Sequence, residues 1–220
     1  MIDKTTRSRV EDHQARFDTW LEHTNVIPVI VMNSVEDAVP LAEALATGGL
    51  TVLEVTLRTP NAPKVLEAMA GVDGVVVGAG TLLSADNIVT ARSAGAVFGV
   101  SPGWTDAVLN AAETQDLPLL PGSDNVSSSM ALAERGYTFQ KFFPAEPSGG
   151  ATKLKAMSQP LPHIRFCPTG GITPETFPQY ISLPNVVCVG GSWLTPANII
   201  EKRDWKAITD LAKACAVGPS

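Results

Sequence analysis

Thr51-Val52-Leu53-Glu54-Val55-Thr56-Leu57-Arg58 and Val75-Val76-Val77-Gly78-Ala79-Gly80-Thr81-Leu82 are two apolar runs separated by a helix-like stretch. Runs of this kind recur roughly every 20–30 residues. The others are Val26–Val31, Val97–Pro102, Pro118–Gly122, Thr138–Pro144, Ile164–Thr169 and Val186–Gly190. Strands alternating with helices pair in parallel, and parallel strands covered on both faces are rich in Val, Ile and Leu. Eight such units in 220 residues average about 27 residues each, which predicts a single (β/α)8 TIM barrel over residues 1–220. An open doubly wound sheet is the other architecture weighed. It expects a G-x-G-x-x-G opening the first helix, and Gly78-Ala79-Gly80-Thr81-Leu82-Leu83 supplies only two of the glycines, after the third strand.

Helix boundaries carry their own signals. Ser34-Val35-Glu36-Asp37 resembles a capping box, Ser84-Ala85-Asp86 opens another helix, and Thr173-Pro174-Glu175 sets a cap residue before a first-turn proline. Gly48-Gly49, Gly95 and Gly136 fall where helices should stop. Residues 1–24 read as an extra N-terminal helix. Its Val10, Phe17, Trp20 and Leu21 share a face expected to cover the N-terminal end of the barrel.

Composition narrows the function. The chain is 45% hydrophobic and 17% charged, with net charge −6, which suits a compact soluble protein and argues against nonspecific nucleic-acid binding. The polar N-terminus lacks the apolar core of a signal peptide, and no apolar run is long enough to span a membrane. Cys167, Cys188 and Cys215 are odd in number and far apart, which points to reduced thiols in a cytoplasmic setting. His13, His23 and His163 are scattered, so no metal site is expected. Ser123, Ser127, Ser128 and Ser129 have no histidine partner in a triad motif.

In a barrel the chemistry lies at the C-terminal ends of the strands. Side chains alternate along the second strand, so Glu54, Thr56 and Arg58 face one way and Val55 and Leu57 the other. Two readings stand for Glu54 and Arg58: a working carboxylate and guanidinium, or a structural ion pair filling the interior. Two also stand for Lys141, set among Phe139, Phe142 and Phe143. In low dielectric a lysine loses its proton more readily and its amine can attack a ketone, whereas a strand-end lysine can equally reach out to water. The seventh strand runs into Thr169-Gly170-Gly171 and the eighth into Gly190-Gly191-Ser192, where barrels bind phosphate on loop N–H groups.

These stretches resemble the bacterial 2-keto-3-deoxy-6-phosphogluconate (KDPG) aldolases, class I enzymes of the Entner–Doudoroff pathway that also act on 4-hydroxy-2-oxoglutarate. The matching segments are Val29–Val31, Glu54–Thr59, Val77–Thr81, Ser101–Gly103, Lys141–Glu146, Arg165–Ile172 and Gly190–Leu194, nearly the whole barrel. The resemblance implies Lys141 as the Schiff-base lysine and Glu54 as the general acid/base. It implies Arg58 and Thr81 as contacts for the keto-acid carboxylate, and Pro102, Phe143 and Thr169 as pocket walls. Gly170, Gly171, Gly191 and Ser192 would hold phosphate. It further implies reversible cleavage to pyruvate and D-glyceraldehyde 3-phosphate, a homotrimer, and neither metal nor cofactor.

The sequence departs from the family at Pro121-Gly122-Ser123-Asp124-Asn125, where Ile or Val and then Ser or Thr commonly follow Pro-Gly. The added acid bears on substrate range. Three rivals remain: a phosphosugar epimerase or thiamine-phosphate synthase on the same barrel, a phosphogalactonate aldolase, and a sensor that kept the barrel and lost the chemistry. The Lys-Phe-Phe-Pro motif and the Glu-x-x-x-Arg pairing speak against the first. Cys-Pro-Thr-Gly-Gly and Gly-Gly-Ser-Trp favour the gluconate type over the second, and retention of both Lys141 and Glu54 speaks against the third.

Overall fold

The computed structural model describes residues 4–216. Nine strands form: β1 (Val26–Ile30), β2 (Val52–Thr56), β3 (Val76–Gly80), β4 (Phe98–Val100), β5 (Leu119–Leu120), β6 (Gly122–Ser123), β7 (Phe139–Phe142), β8 (Arg165–Pro168) and β9 (Val189–Gly191). The helices are α1 (Lys4–Trp20), α2 (Ala38–Thr47), α3 (Ala62–Ala70), α4 (Ala85–Ser93), α5 (Asp106–Thr114), α6 (Val126–Glu134), α7 (Gly150–Ser158), α8 (Phe177–Ile181), α9 (Ala197–Glu201) and α10 (Trp205–Ala216). All strand pairs are parallel. One sheet runs β5-β4-β3-β2-β1-β9, the other β6-β7-β8.

The strand expected over Pro118–Gly122 is interrupted at Pro121. Proline has no N–H for the ladder. Leu120 therefore pairs with β4, the Pro121 carbonyl accepts from Lys141 N–H at 2.9 Å, and Gly122 pairs with Lys141. At the other edge, bridges Phe166–Val186 and Thr169–Gly190 join β8 to the segment leading into and including β9.

Alternation along the strands sorts the apolar residues into two clusters. Leu53, Val55, Val77, Ala79, Phe142 and Phe166 pack with buried residues of the helices. The opposite face contributes Ile27, Val52, Phe98, Val100, Leu120, Phe139, Cys167 and Cys188 to a second cluster, joined by Phe17 and Leu21. Phe17 lies edge-on to Phe98 at 5.6 Å and to Phe139 at 5.5 Å. Gln14 donates to Leu119 O and accepts from Phe139 N, while Arg165 pairs with Asp18 at 2.5 Å. The helix thus docks on the first residues of β4, β5, β7 and β8, with Phe17 and Leu21 in this cluster and Val10 in the other; residues 1–3 of the expected helix lie outside the described residues.

Two boundary signals worked differently from expectation. α2 starts at Ala38, and its cap residue, Asp37, makes no side-chain capping bond. The carboxylates of Glu36 and Asp37 turn to Arg203 instead, so Ser34-Val35-Glu36-Asp37 is not a capping box. Thr173 Oγ1 does accept from Thr176 N, but this closes a turn and α8 begins only at Phe177. Ser84 caps α4 as expected, accepting from Asn87 N at 3.2 Å. Among the described residues no helix is long and apolar enough to cross a membrane.

Because Phe17 is 1% exposed within this aromatic cluster, Phe17→Ala should destabilise the fold by about 3–5 kcal/mol. Urea unfolding measures it. A loss below about 1 kcal/mol would mean the helix merely rests on the strands.

Candidate active site

The apolar plug ends where the inward positions turn polar. Two residues beyond Val52 on β2 stands Glu54, and two beyond Phe139 on β7 stands Lys141. Lys141 Nζ lies 3.5 Å from Glu54 Oε1, and both side chains are 4% exposed. Isolated, either charge would be costly to bury; facing each other they offset much of that cost. The separation is longer than a tight hydrogen bond, so the amine is accompanied but not locked. Nζ also lies 5.4 Å from the centre of the Phe143 ring, whose face attracts a cation.

This geometry bears on both open readings. Lys141 does not reach to water, and Glu54 is paired with Lys141 instead of Arg58. Arg58 lies beyond the end of β2, exposed at the rim, and its Nε donates to Thr81 Oγ1 at 2.9 Å. Among the described residues it forms no ion pair, so both terminal nitrogens remain open to a carboxylate. Thr81 takes φ 61°, a left-handed conformation that costs a β-branched residue about 1–3 kcal/mol. It is held there at the end of β3, facing Arg58.

Pro102 and Phe143 are half-buried beside this centre, and Thr169 is buried. The Thr169 hydroxyl finds no hydrogen-bond partner and lies against Gly190, where any side chain would overlap it. Gly170 and Gly171 have φ 106° and 82°, which favour glycine. Among the described residues no acceptor takes the N–H of Gly170, Gly171 or Ser192. Gly191 ends β9 under the Trp193 ring, and Ser192 is exposed just beyond it. Among the described residues no hydrogen bond joins Ser192 to the Gly170–Gly171 turn. On the departing segment, Ser123 is buried and bonded to Ser129 and Gln140, whereas Asp124 stays exposed and accepts from Asn125 Nδ2 at 2.7 Å.

Sequence reasoning passed over Gly80. Its position on β3 is where a methyl group would overlap the Glu54 carboxylate, so the missing side chain makes the room Glu54 occupies. A glycine at an inward position of a strand is the signal that marks such a close approach. It also missed that Cys167 and Cys188 meet. Their hydrogen bond, together with burial, pushes the Cys188 thiol well above its usual range. Among the described residues no cluster of His, Cys, Asp and Glu is able to hold a metal.

An amine able to add to a carbonyl, a carboxylate beside it to move protons, and a guanidinium with free ends stand at the C-terminal ends of parallel strands. That set defines a Schiff-base lyase of the parallel α/β type. Residues 17–211 match the family model for KDPG and KHG aldolase. The 2-dehydro-3-deoxy-phosphogluconate aldolase of Pseudoalteromonas atlantica is 48% identical over 194 residues, 88% of this chain and 90% of that one. The KDPG aldolase of Zymomonas mobilis solved with 3-phosphoglycerate superposes with a TM-score of 0.88 at 46% identity, covering 93% and 96%. That of Legionella pneumophila, with pyruvate captured at low pH as a covalent carbinolamine, gives 0.86 at 46% identity over 89% and 96%. This chain belongs to the KDPG and KHG aldolase family.

Glu54→Gln keeps the volume and removes the charge, and cleavage should slow by about 10²–10⁴. Gly80→Ala should slow it as well, because the added methyl displaces the carboxylate. Turnover of both at the wild-type rate would leave Glu54 a structural partner only.

Proposed function

We propose that this protein reversibly cleaves 2-dehydro-3-deoxy-6-phosphogluconate to pyruvate and D-glyceraldehyde 3-phosphate through a Schiff base on Lys141. The observation that carries the reading is the buried Lys141–Glu54 contact at 3.5 Å. Proton transfer from Lys141 to Glu54 frees the amine, which adds to the C2 ketone. Glu54 returns its proton to the carbinolamine hydroxyl, which leaves as water and gives an iminium. Glu54 then takes the C4 hydroxyl proton, and the C3–C4 electron pair moves into the iminium to form an enamine and release the aldehyde. Protonation of the enamine at C3 and hydrolysis release pyruvate and restore Lys141. The carbinolamine captured in the Legionella enzyme supports the first step.

Arg58 binds the substrate carboxylate through its free terminal nitrogens, with Thr81 holding Nε. Pro102, Phe143 and Thr169 wall the pocket. Gly170, Gly171, Gly191 and Ser192 hold the phosphate, supported by the unpaired N–H groups of Gly170, Gly171 and Ser192 and by the 3-phosphoglycerate in the Zymomonas enzyme. The iminium serves as electron sink, so neither metal nor cofactor is needed. The same residues would accept 4-hydroxy-2-oxoglutarate, which shares the keto acid and lacks the phosphate.

The two sheets are read as one closed (β/α)8 barrel forming a single domain, with α1 over its N-terminal end. Support comes from the one-residue break at Pro121 and the bridges between β8 and the β9 edge. We extend the reading to a homotrimer in the cytoplasm. The three free thiols agree with a reducing compartment.

Lys141→Ala should abolish cleavage, measured by coupled pyruvate release. Ser192→Asp should raise KM for the phosphorylated substrate, because a carboxylate there repels the phosphate dianion, while unphosphorylated 4-hydroxy-2-oxoglutarate is spared. Equal effects on both substrates would remove Ser192 from the phosphate site. EDTA should leave the rate unchanged, and loss restored by a divalent ion would point to metal-assisted cleavage.

A further inference from the structure

Glu146 closes the Lys141–Glu146 stretch, and the chemistry above leaves it without a task. Its N–H donates to Gly170 O at 3.0 Å, one step after Ala145 N–H donates to Thr169 O at 2.8 Å. These consecutive bonds lay the loop leaving β7 along the turn leaving β8. The Cβ and Cγ of Glu146 close over Gly171 so tightly that a side chain there would meet them at 2.8 and 2.9 Å. Its Oε1 accepts the Tyr180 hydroxyl proton at 2.5 Å. Tyr180 is 1% exposed and sits on α8, the helix that follows the same turn. Gly150, where α7 begins, faces the same pair.

A buried phenol needs an acceptor, and a carboxylate makes the bond short and strong. Here the bond ties together the loop after Lys141, the Gly170–Gly171 turn and α8. A substrate held covalently at one end and by its phosphate at the other demands a set distance between the two anchors, and an error of about 1 Å is costly. We propose that the Tyr180–Glu146 bond is a positioning clamp that fixes the Gly170–Gly171 amides relative to Lys141, an inference that rests on reading that turn as the phosphate site. Neither residue touches a reacting atom; both act through the turn. Without the hydroxyl, the turn drifts and a free carboxylate is left beside an anion site.

In Tyr180→Phe and Glu146→Ala, KM for the phosphorylated substrate should rise about tenfold, the size of one lost hydrogen bond to a charged group. kcat should change far less, and inhibition by orthophosphate should weaken in step. The pyruvate imine on Lys141 should form at its wild-type rate. Glu146→Gln keeps an acceptor and should restore most of the KM. Equal changes in phosphorylated-substrate turnover and imine formation, or none in either, overturn the clamp. Hydrogen exchange supplies an independent arm: the amides of Ala145, Glu146 and Thr169, which bond across the loop and the turn, should exchange faster in Tyr180→Phe than in the unaltered enzyme, and unchanged exchange also overturns it. If orthophosphate does not inhibit the unaltered enzyme, the phosphate reading fails, and the clamp is decided by the exchange measurement alone.

Discussion

An amine and a carboxylate face each other above an apolar interior, and the rest of the molecule is arranged so that they can. Removing one would leave the other buried and unpaired, at a cost of about 3–5 kcal/mol. Two strands must therefore bring Glu54 and Lys141 to the same level, and parallel pairing does so through several neighbours. Glu54 is level with Gly78, and Lys141 with both Gly122 and Cys167. Gly80, two residues further along β3, leaves the room that the Glu54 carboxylate occupies. Below, Phe17, Phe98 and Phe139 fill the interior, so the two polar groups emerge only at the C-terminal ends, where substrate arrives. A one-residue slip of either strand would turn its functional side chain towards the helices.

Much of this arrangement was legible because it depends on local periodicity. Eight apolar runs and their turns follow from nearest-neighbour chemistry, as does the inward direction of Glu54. The stop signals at Gly48, Gly95 and Gly136 held because helix termination is also local. What escaped depends on partners distant in sequence. Pro121 divides a strand because its two ends bond to different neighbours. Glu36 and Asp37 pair with Arg203, far along the chain, and not with the start of α2. Cys167 and Cys188 meet only once β8 and β9 lie side by side. That Glu54 pairs with Lys141 and not with Arg58 likewise depends on β2 and β7 facing each other across the interior.

The proposed site divides into a chemical half on β2, β3 and β7 and an anchoring half on the turns after β8 and β9. In the first, Lys141 and Glu54 are buried on strands with ladders on both sides, and Arg58 stands at the rim. The second is built from loop backbone, which costs little to distort unless something braces it. The brace is where the two halves touch: the loop after Phe143 lies along the Thr169–Gly171 turn. On this reading the substrate has a covalent end at Lys141 and a separate anchoring end at the turns after β8 and β9. This suits a family whose name carries both a phosphorylated and an unphosphorylated substrate.

Everything proposed for this site turns on Lys141 as the covalent centre. Incubation with pyruvate and sodium borohydride, followed by intact-mass measurement and peptide mapping, tests this. One reduced pyruvyl unit per chain is expected, located on the peptide containing Lys141 and absent from Lys141→Ala. A unit of the same mass on Lys153 or Lys155, or an adduct that persists in Lys141→Ala, would contradict it.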